Sequence, residues 1–280
     1  MSNTVLSGDL QEFEVSRHRA KAGRRFGFKR TAVVIGLRVL VAVLIVLGWQ
    51  FISGRWIPTF AISKPTDVVR TLGNYVTSSE GINDIKTSLS ELLLGYAIGV
   101  GAGLIFGIIF AAWQLGASVF EPFLTAFNGI PKVALAPAFL IALGLGIWSK
   151  VAISSMTVFF VMFYNTYYGA RAMNNDLANV VRLMGANRAD LLRDVMLPGI
   201  LPTVIAGLKA GVPFSIIGVV VGEFVAATAG VGYYINNSTQ GYDPAGTYAG
   251  IIVLVVIVLI LSSLVGLIER FALRWQRVRT

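Results

Sequence analysis

Apolar positions along the chain gather into six long runs, near 33–52, 87–113, 120–145, 149–168, 201–227 and 247–268, with polar segments between them. A helix rises about 1.5 Å per residue and a hydrocarbon core is about 30 Å thick, so each run is long enough to cross it. The pattern predicts an all-α membrane protein with six transmembrane helices. Between the first two runs, Pro65-Thr66-Asp67 followed by Val68, Val69, Leu72 and Tyr75 predicts a short helix along the surface, proline near its start. Gly230 to Ala245 is a polar connector. The polar segment 171–200 is different in kind. Leu177, Val180, Val181 and Met184 recur at helical spacing before Gly185, and Leu191, Leu192, Val195 and Met196 do so after it. Two short amphipathic helices around the glycine are expected, the second ending at Leu197-Pro198 because proline disfavours helical backbone in the residue before it.

Inside the runs the exceptions carry the information. Gly95, Gly99, Gly103 and Gly107 fall at steps of four and line one helix face, which lets a second helix approach closely; Gly207/Gly211 and Gly218/Gly222 repeat the device. The third run is interrupted by Pro122, Pro131 and Pro137 and carries Asn128, Gly129 and Lys132, so a bent, partly unwound span is expected next to protein or water. Gly144-Leu145-Gly146 closes it as a turn. Lys209 and Glu223 are charges inside the fifth run. Each costs about 2.5–3.5 kcal/mol at a helix centre by insertion scales, so both should face protein or water. Lys209 either meets an anionic substrate or pairs with a carboxylate; Glu223, nearer the far end of the run, suits capping or interhelix bonding. With Asn128, Lys132 and Asn165 they form the polar candidates for a translocation path.

Composition and charge then set the compartment. With 55% hydrophobic and 13% charged residues and a mean hydropathy of +0.74, the 280-residue chain is a membrane protein by composition. It has no cysteine, which excludes disulfides and thiolate metal sites, and its one histidine, His18, lies in a basic tail. No metal site is expected. The net charge of +9 flanks the apolar runs rather than forming a nucleic-acid patch: seven Lys/Arg precede the first run, four lie in 171–200 and four follow the last. The other side holds Arg55, Lys64, Arg70, Lys86 and Lys150. The side rich in Lys/Arg is cytoplasmic, so both termini and the 171–200 segment are expected there. Residues 1–32 read as a cytoplasmic tail against anionic membrane lipid, 33–270 as the six-span domain and 271–280 as a second cytoplasmic tail. The run at 33–52 is too long for a secretory signal core.

Three function classes fit a chain like this: a membrane enzyme, a channel and a transporter subunit. No H-E-x-x-H, cysteine nucleophile, Gly-x-Ser-x-Gly elbow or GxxxxGK[ST] loop is present, so no catalytic residue and no nucleotide site is expected. A channel filter is missing too, since Leu143-Gly144-Leu145-Gly146 is only a turn. Nor do spans one to three resemble four to six, as the halves of a secondary transporter would. A scaffold that recruits a soluble partner through 176–198 is the non-transporting alternative.

The spacing in 171–200 resembles the EAA loop of ABC-importer permeases, whose consensus is Glu-Ala-Ala, three residues, Gly, nine residues, Ile, any residue, Leu-Pro. Gly185, Leu197 and Pro198 match, Val195 stands for the isoleucine, and Asn179-Val180-Val181 departs from Glu-Ala-Ala. Beyond the loop the resemblance runs from about Asp84 to Phe271. Pro131-Lys132-Val133-Ala134-Leu135-Ala136-Pro137, Asn165-Thr166-Tyr167-Tyr168-Gly169 and Val221-Gly222-Glu223-Phe224 look like the nitrate/sulfonate/taurine branch.

What the resemblance implies is the type I importer permease fold in a bacterial inner membrane, two permease chains forming the pathway as a homodimer. An extracytoplasmic binding protein would deliver substrate, and ATP with magnesium would act on separate cytoplasmic ATPase subunits. The coupling residues it implies are Asp176, Asn179, Val180, Arg182, Met184, Gly185, Ala186, Arg188, Leu191, Leu192, Val195, Leu197 and Pro198. They dock as a helix in a groove, apolar anchors inward and charges at the rim. Gly185 supplies left-handed or tight-turn geometry between the helices, or merely ends the first of them. The branch implies a small organic or inorganic anion, with which the basic trio Arg38, Lys132 and Lys209 is compatible; a vitamin, a pyrimidine precursor or an aromatic compound is the alternative.

Overall fold

The computed structural model describes residues 33–173 and 180–274. The readings of the tails at 1–32 and 275–280, and of Asp176, Leu177 and Asn179 in the 171–200 segment, lie outside them. The described regular structure is helical, apart from one isolated bridge between Ser53 and Ile57. The chain divides into two compact units, Met1–Thr66 and Asp67–Thr280.

In the first unit, α1 (Val33–Ile52) is a 20-residue apolar helix. A tight turn follows it, closed where the Ser53 hydroxyl donates to the Ile62 carbonyl at 2.6 Å. α2 (Pro65–Thr77), which from Asp67 on belongs to the second unit, starts on its proline, whose missing N–H has no helical partner to lose in a first turn.

The second unit is built on α3 (Ser79–Ala112), α6 (Ile147–Arg171), α7 (Leu197–Ala226) and α9 (Pro244–Ala272). α3 begins eight residues ahead of the apolar run at 87, because Ser78 accepts from the Gly81 N–H at 2.9 Å and no breaker follows. Its glycine stripe lies against α6. A β-carbon on Gly95 would strike the Ser154 hydroxyl, on Gly99 the Ser155 carbonyl and Val158, on Gly103 Met162, and on Gly107 Thr166. The glycines of α7 also lie against α6, Gly207 at Asn165, Gly218 at Ser154 and Gly222 at Lys150. α6 is thus sandwiched and is the most enclosed of the candidate spans. The Ser154 hydroxyl lies 2.8 Å from that of Ser215 on α7, which in turn donates to the Leu92 carbonyl of α3 at 3.2 Å. Three helices meet at one pair of small polar groups.

The third run is not one helix. α4 (Gln114–Gly129) stops at Ile130-Pro131, a 3-10 turn at Lys132–Leu135 follows, and α5 (Ala136–Leu143) leaves at 82° to α4. Of the three prolines only Pro131 makes the break. Pro122 lies inside the intact α4 and Pro137 occupies the first turn of α5, where its missing N–H costs little. Among the described residues five helices are long and apolar enough to cross a membrane, and the bent pair makes a sixth if it is one span.

Two further departures have physical reasons. Leu197-Pro198 does not end a helix: the backbone runs on from Arg188 through a π-helical turn at Leu191–Met196 into α7. A proline in an α-helix collides with the carbonyl four residues back, here that of Asp194. The wider turn, with the Leu197 N–H bonded to the Leu192 carbonyl, makes room for it. The connector at 230–245 also holds a helix, α8 (Val231–Gln240). Its Val231 and Ile235 are buried with Tyr75 and Val253, and its Tyr234 stacks on Tyr75 with ring centroids 3.8 Å apart. Only three of its ten positions are buried, so polar residues dominate the sequence and conceal it.

Candidate functional site

The segment from Val180 to Leu197 carries the residues singled out by spacing. Gly185 sits at φ +90, and the Ala186 N–H bonds the Val181 carbonyl while the Gly185 N–H bonds that of Arg182. That pair of bonds is the Schellman closure of a helix on a left-handed residue. Gly185 therefore both ends the first helix and supplies the left-handed turn. A β-carbon there would meet nothing within 4 Å, so glycine is required by backbone geometry and not by space. The second helix is started by Asn187, whose side chain accepts from the N–H groups of Ala189 at 2.8 Å and Asp190 at 3.0 Å. Asp190 returns the bond to the Asn187 N–H at 2.9 Å. This reciprocal cap was legible as N-x-x-D and was missed by a search for the EAA spacing.

The apolar positions of this segment divide. Leu183 and Met184, at 88% and 80% exposure, form a bare apolar tip ahead of Gly185, and Val180, Leu192 and Leu197 are exposed as well. Val195 is only 7% exposed and packs within its own chain, so it is not a free anchor. Leu191 and Met196 are half-buried, Ala186 is half-buried, and Arg182, Arg193 and Asp194 are exposed. Leu183 was not among the expected anchors, although its place beside Met184 at the turn would have pointed to it.

The polar path candidates do not converge. Lys132 and Asn128 come together at the α4–α5 break, where Lys132 Nζ donates to the Asn128 carbonyl and side-chain oxygen and lies 5.0 Å from the Phe160 ring centroid. Asn165 donates to the Val161 carbonyl at 2.8 Å along its own helix. Lys209 pairs with Glu269 of α9 at 2.5 Å, which realises the carboxylate reading of its sequence position. A recess between α3, α4 and α6, lined by Phe110, Glu121, Phe163, Tyr164 and Tyr167, is too tight for a water molecule.

Glu223 stands in a second, deeply enclosed polar cluster, where it both bonds to another helix and caps the start of α8. The Ser88 hydroxyl donates to Glu223 Oε1 at 2.5 Å and the Gly232 N–H to Oε2 at 2.6 Å. Ser88 accepts from the Val231 N–H at 2.8 Å, and Asp84 accepts from the Gly230 N–H at 2.8 Å and the Tyr75 hydroxyl at 3.1 Å. Three side chains thus hold the three N–H groups that open α8. Burial and the adjacent Asp84 push the Tyr75 hydroxyl above its ordinary range, so it remains a donor. Gly230 has φ +125, and a β-carbon on it would strike the Glu223 carboxylate, so both backbone and space demand glycine. Asp84, Ser88 and Glu91, at steps of four and three on α3, were the readable signal for this cluster.

Comparison with known proteins gives one consistent result. The family described as the binding-protein-dependent transport system inner membrane component matches residues 99–274. A putative aliphatic sulfonates transport permease protein of Bacillus subtilis is 28% identical over 278 residues, covering 99% of this chain and 98% of that protein. A riboflavin transport system permease protein of Chloroflexus aurantiacus is 31% identical over 242 residues, covering 86% of this chain and 90% of its own length. Among solved structures, a chain of the MetNI methionine ABC transporter in an inward-facing conformation superposes with a TM-score of 0.61 at 18% identity. That superposition covers 68% of this chain and 95% of the other, and shows a shared fold.

Proposed function

The chain belongs to the family of binding-protein-dependent transport system inner membrane components, and from that premise we propose how this permease is coupled and what it carries. It is a multi-pass permease subunit of an ABC importer and not itself an enzyme, working with an ATPase subunit and a substrate-binding protein. In our reading the segment from Val180 to Leu197 is the coupling element. ATP and magnesium are bound and used on the ATPase chains, and a second copy of this chain completes the pathway. Both termini and the coupling element face the cytoplasm.

The observation that carries the coupling role is the bare apolar tip, Leu183 and Met184, held at a left-handed Gly185. Such a tip suits a groove on a soluble partner. Replacing Leu183 and Met184 together by Asp is expected to abolish co-purification of the ATPase subunit. Gly185→Val forces a β-branched residue into φ +90, at about 1–2 kcal/mol, which leaves roughly a tenfold smaller docking-competent population. Reversing the charge at Arg188 is expected to weaken coupling while leaving insertion intact. Unchanged co-purification and unchanged coupled transport in these variants would remove the segment from its role.

The substrate is a small organic anion of the sulfonate class. Supporting it is the likeness to the Bacillus subtilis sulfonate permease, which extends over nearly the whole of both chains. The likeness to the riboflavin permease favours a flat aromatic substrate as the second reading. ATPase activity of the reconstituted importer, with its binding protein loaded in turn with an alkyl sulfonate or with riboflavin, decides between them. Stimulation by riboflavin alone would overturn the anion reading.

A further inference from the structure

We infer that Glu91 and Glu223 together form a buried proton-binding site, with the proton carried on Glu91 and donated to the Glu223 carboxylate. The two side chains come from α3 and α7, are 2% and 1% exposed, and have carboxyl groups within hydrogen-bonding reach of each other. Two carboxylates this close and this dry repel each other, whereas one shared proton turns the contact into a charge-assisted O–H···O bond.

The geometry says which residue holds the proton. Both oxygens of Glu223 are already acceptors, from Ser88 Oγ at 2.5 Å and from the Gly232 N–H at 2.6 Å. Ser88 accepts from the Val231 N–H, which fixes its own hydroxyl as the donor toward Glu223. Glu91 Oε2 is buried with no hydrogen-bond partner. A neutral carboxyl group tolerates that far better than an ionised one.

The surrounding charges agree. Lys150 of α6, 3% exposed, lies within electrostatic reach of Glu91 and donates to the Leu145 and Gly146 carbonyls at 2.6 and 3.1 Å. Asp84 of α3 faces Glu223 from the other side, held by Tyr75 of α2. Tyr234 of α8 stays neutral, its hydroxyl raised chiefly by burial and also by Asp243, which caps α9. One cation, beside Glu91, thus stands against three neighbouring carboxyl groups, Asp84, Glu91 and Glu223, so a charge on each would leave the cluster net negative. Among the described residues no three acidic or His side chains are grouped to hold a metal ion.

Because Glu223 and Ser88 also hold the opening of α8, the proton ties α3 to α7 beneath that helix. Its contribution to stability is present at low pH and is lost as pH rises and Glu91 gives up the proton. The test uses the full chain in lipid nanodiscs. Infrared spectra of the wild type should contain a protonated-carboxyl band at neutral pH that is missing from Glu91→Gln. Glutamine keeps a donor toward Glu223 and cannot titrate. On raising the pH the wild type should lose at least about tenfold in its folded-to-unfolded ratio, a loss that Glu91→Gln does not share. Glu91→Leu, without a donor, should be destabilised at every pH. No such band in the wild type, or the same pH profile in wild type and Glu91→Gln, would overturn the assignment; should the variant not fold, the wild-type spectrum alone decides.

Discussion

At the scale of single residues, the charges inside the apolar runs were legible as exceptions but their partners were not. Lys209 stood out because a lone ammonium in hydrocarbon is costly, yet nothing local in the sequence names a carboxylate sixty positions on. The ion pair with Glu269 follows only once α7 and α9 lie side by side. It changes what a substitution reports. Lys209→Met leaves Glu269 without its cation, at up to about 2.5–3.5 kcal/mol if hydrocarbon surrounds it. Reduced yield of folded protein is therefore expected from Lys209→Met and recovery from Lys209→Met with Glu269→Gln. Transport by the double variant separates two roles. Restored uptake makes the pair structural, and lost uptake in a well-folded double variant returns Lys209 to the path. Lys132 is different, since its partners are the uncharged Asn128 and the Phe160 ring. Among the described residues no carboxylate pairs with it.

At the scale of elements, periodicity placed the long helices and failed where backbone geometry was unusual. The glycine stripe of α3 was readable because close packing leaves a four-residue period, and it predicts a contrast. Gly103→Ile drives a branched side chain into Met162 and the Phe159 carbonyl, whereas a β-carbon on Gly101 meets nothing within 4 Å. A loss of about 1–3 kcal/mol is expected for Gly103→Ile and little change for Gly101→Ala, measured as thermal stability of the purified protein. The π-turn before Pro198 was unreadable, because rules for proline assume that the helix around it is an α-helix. The amphipathic α8 was hidden by its polar surface, and its N-terminus is held by Asp84 and Ser88, which are remote in sequence, and by Glu223 of the preceding helix. Pro198→Ala removes the steric reason for the wide turn. The ladder then closes to α-helix and rotates everything N-terminal to it, so the ratio of ATP hydrolysed to substrate moved should rise while the complex still assembles.

At the scale of the whole molecule, charge distribution reaches further than any contact, since sidedness depends on which segments carry lysine and arginine and not on how helices pack. The cytoplasmic placement proposed for the Gly185 turn and the opposite placement proposed for the α8–α9 turn therefore rest on the same count. The absence of cysteine allows a direct test. Leu183, 88% exposed, and Tyr242, 81% exposed, mark the two ends. Single substitutions Leu183→Cys and Tyr242→Cys each introduce one accessible thiol at a site where the native side chain is largely free. In intact spheroplasts a membrane-impermeant maleimide should label Tyr242→Cys and leave Leu183→Cys unlabelled until the membrane is opened. The reverse pattern would put the bare apolar tip on the wrong side for an ATPase, and the coupling role would fall with the orientation. Equal labelling of both from outside would mean that α7, the one candidate span between Leu183 and Tyr242, does not complete a crossing.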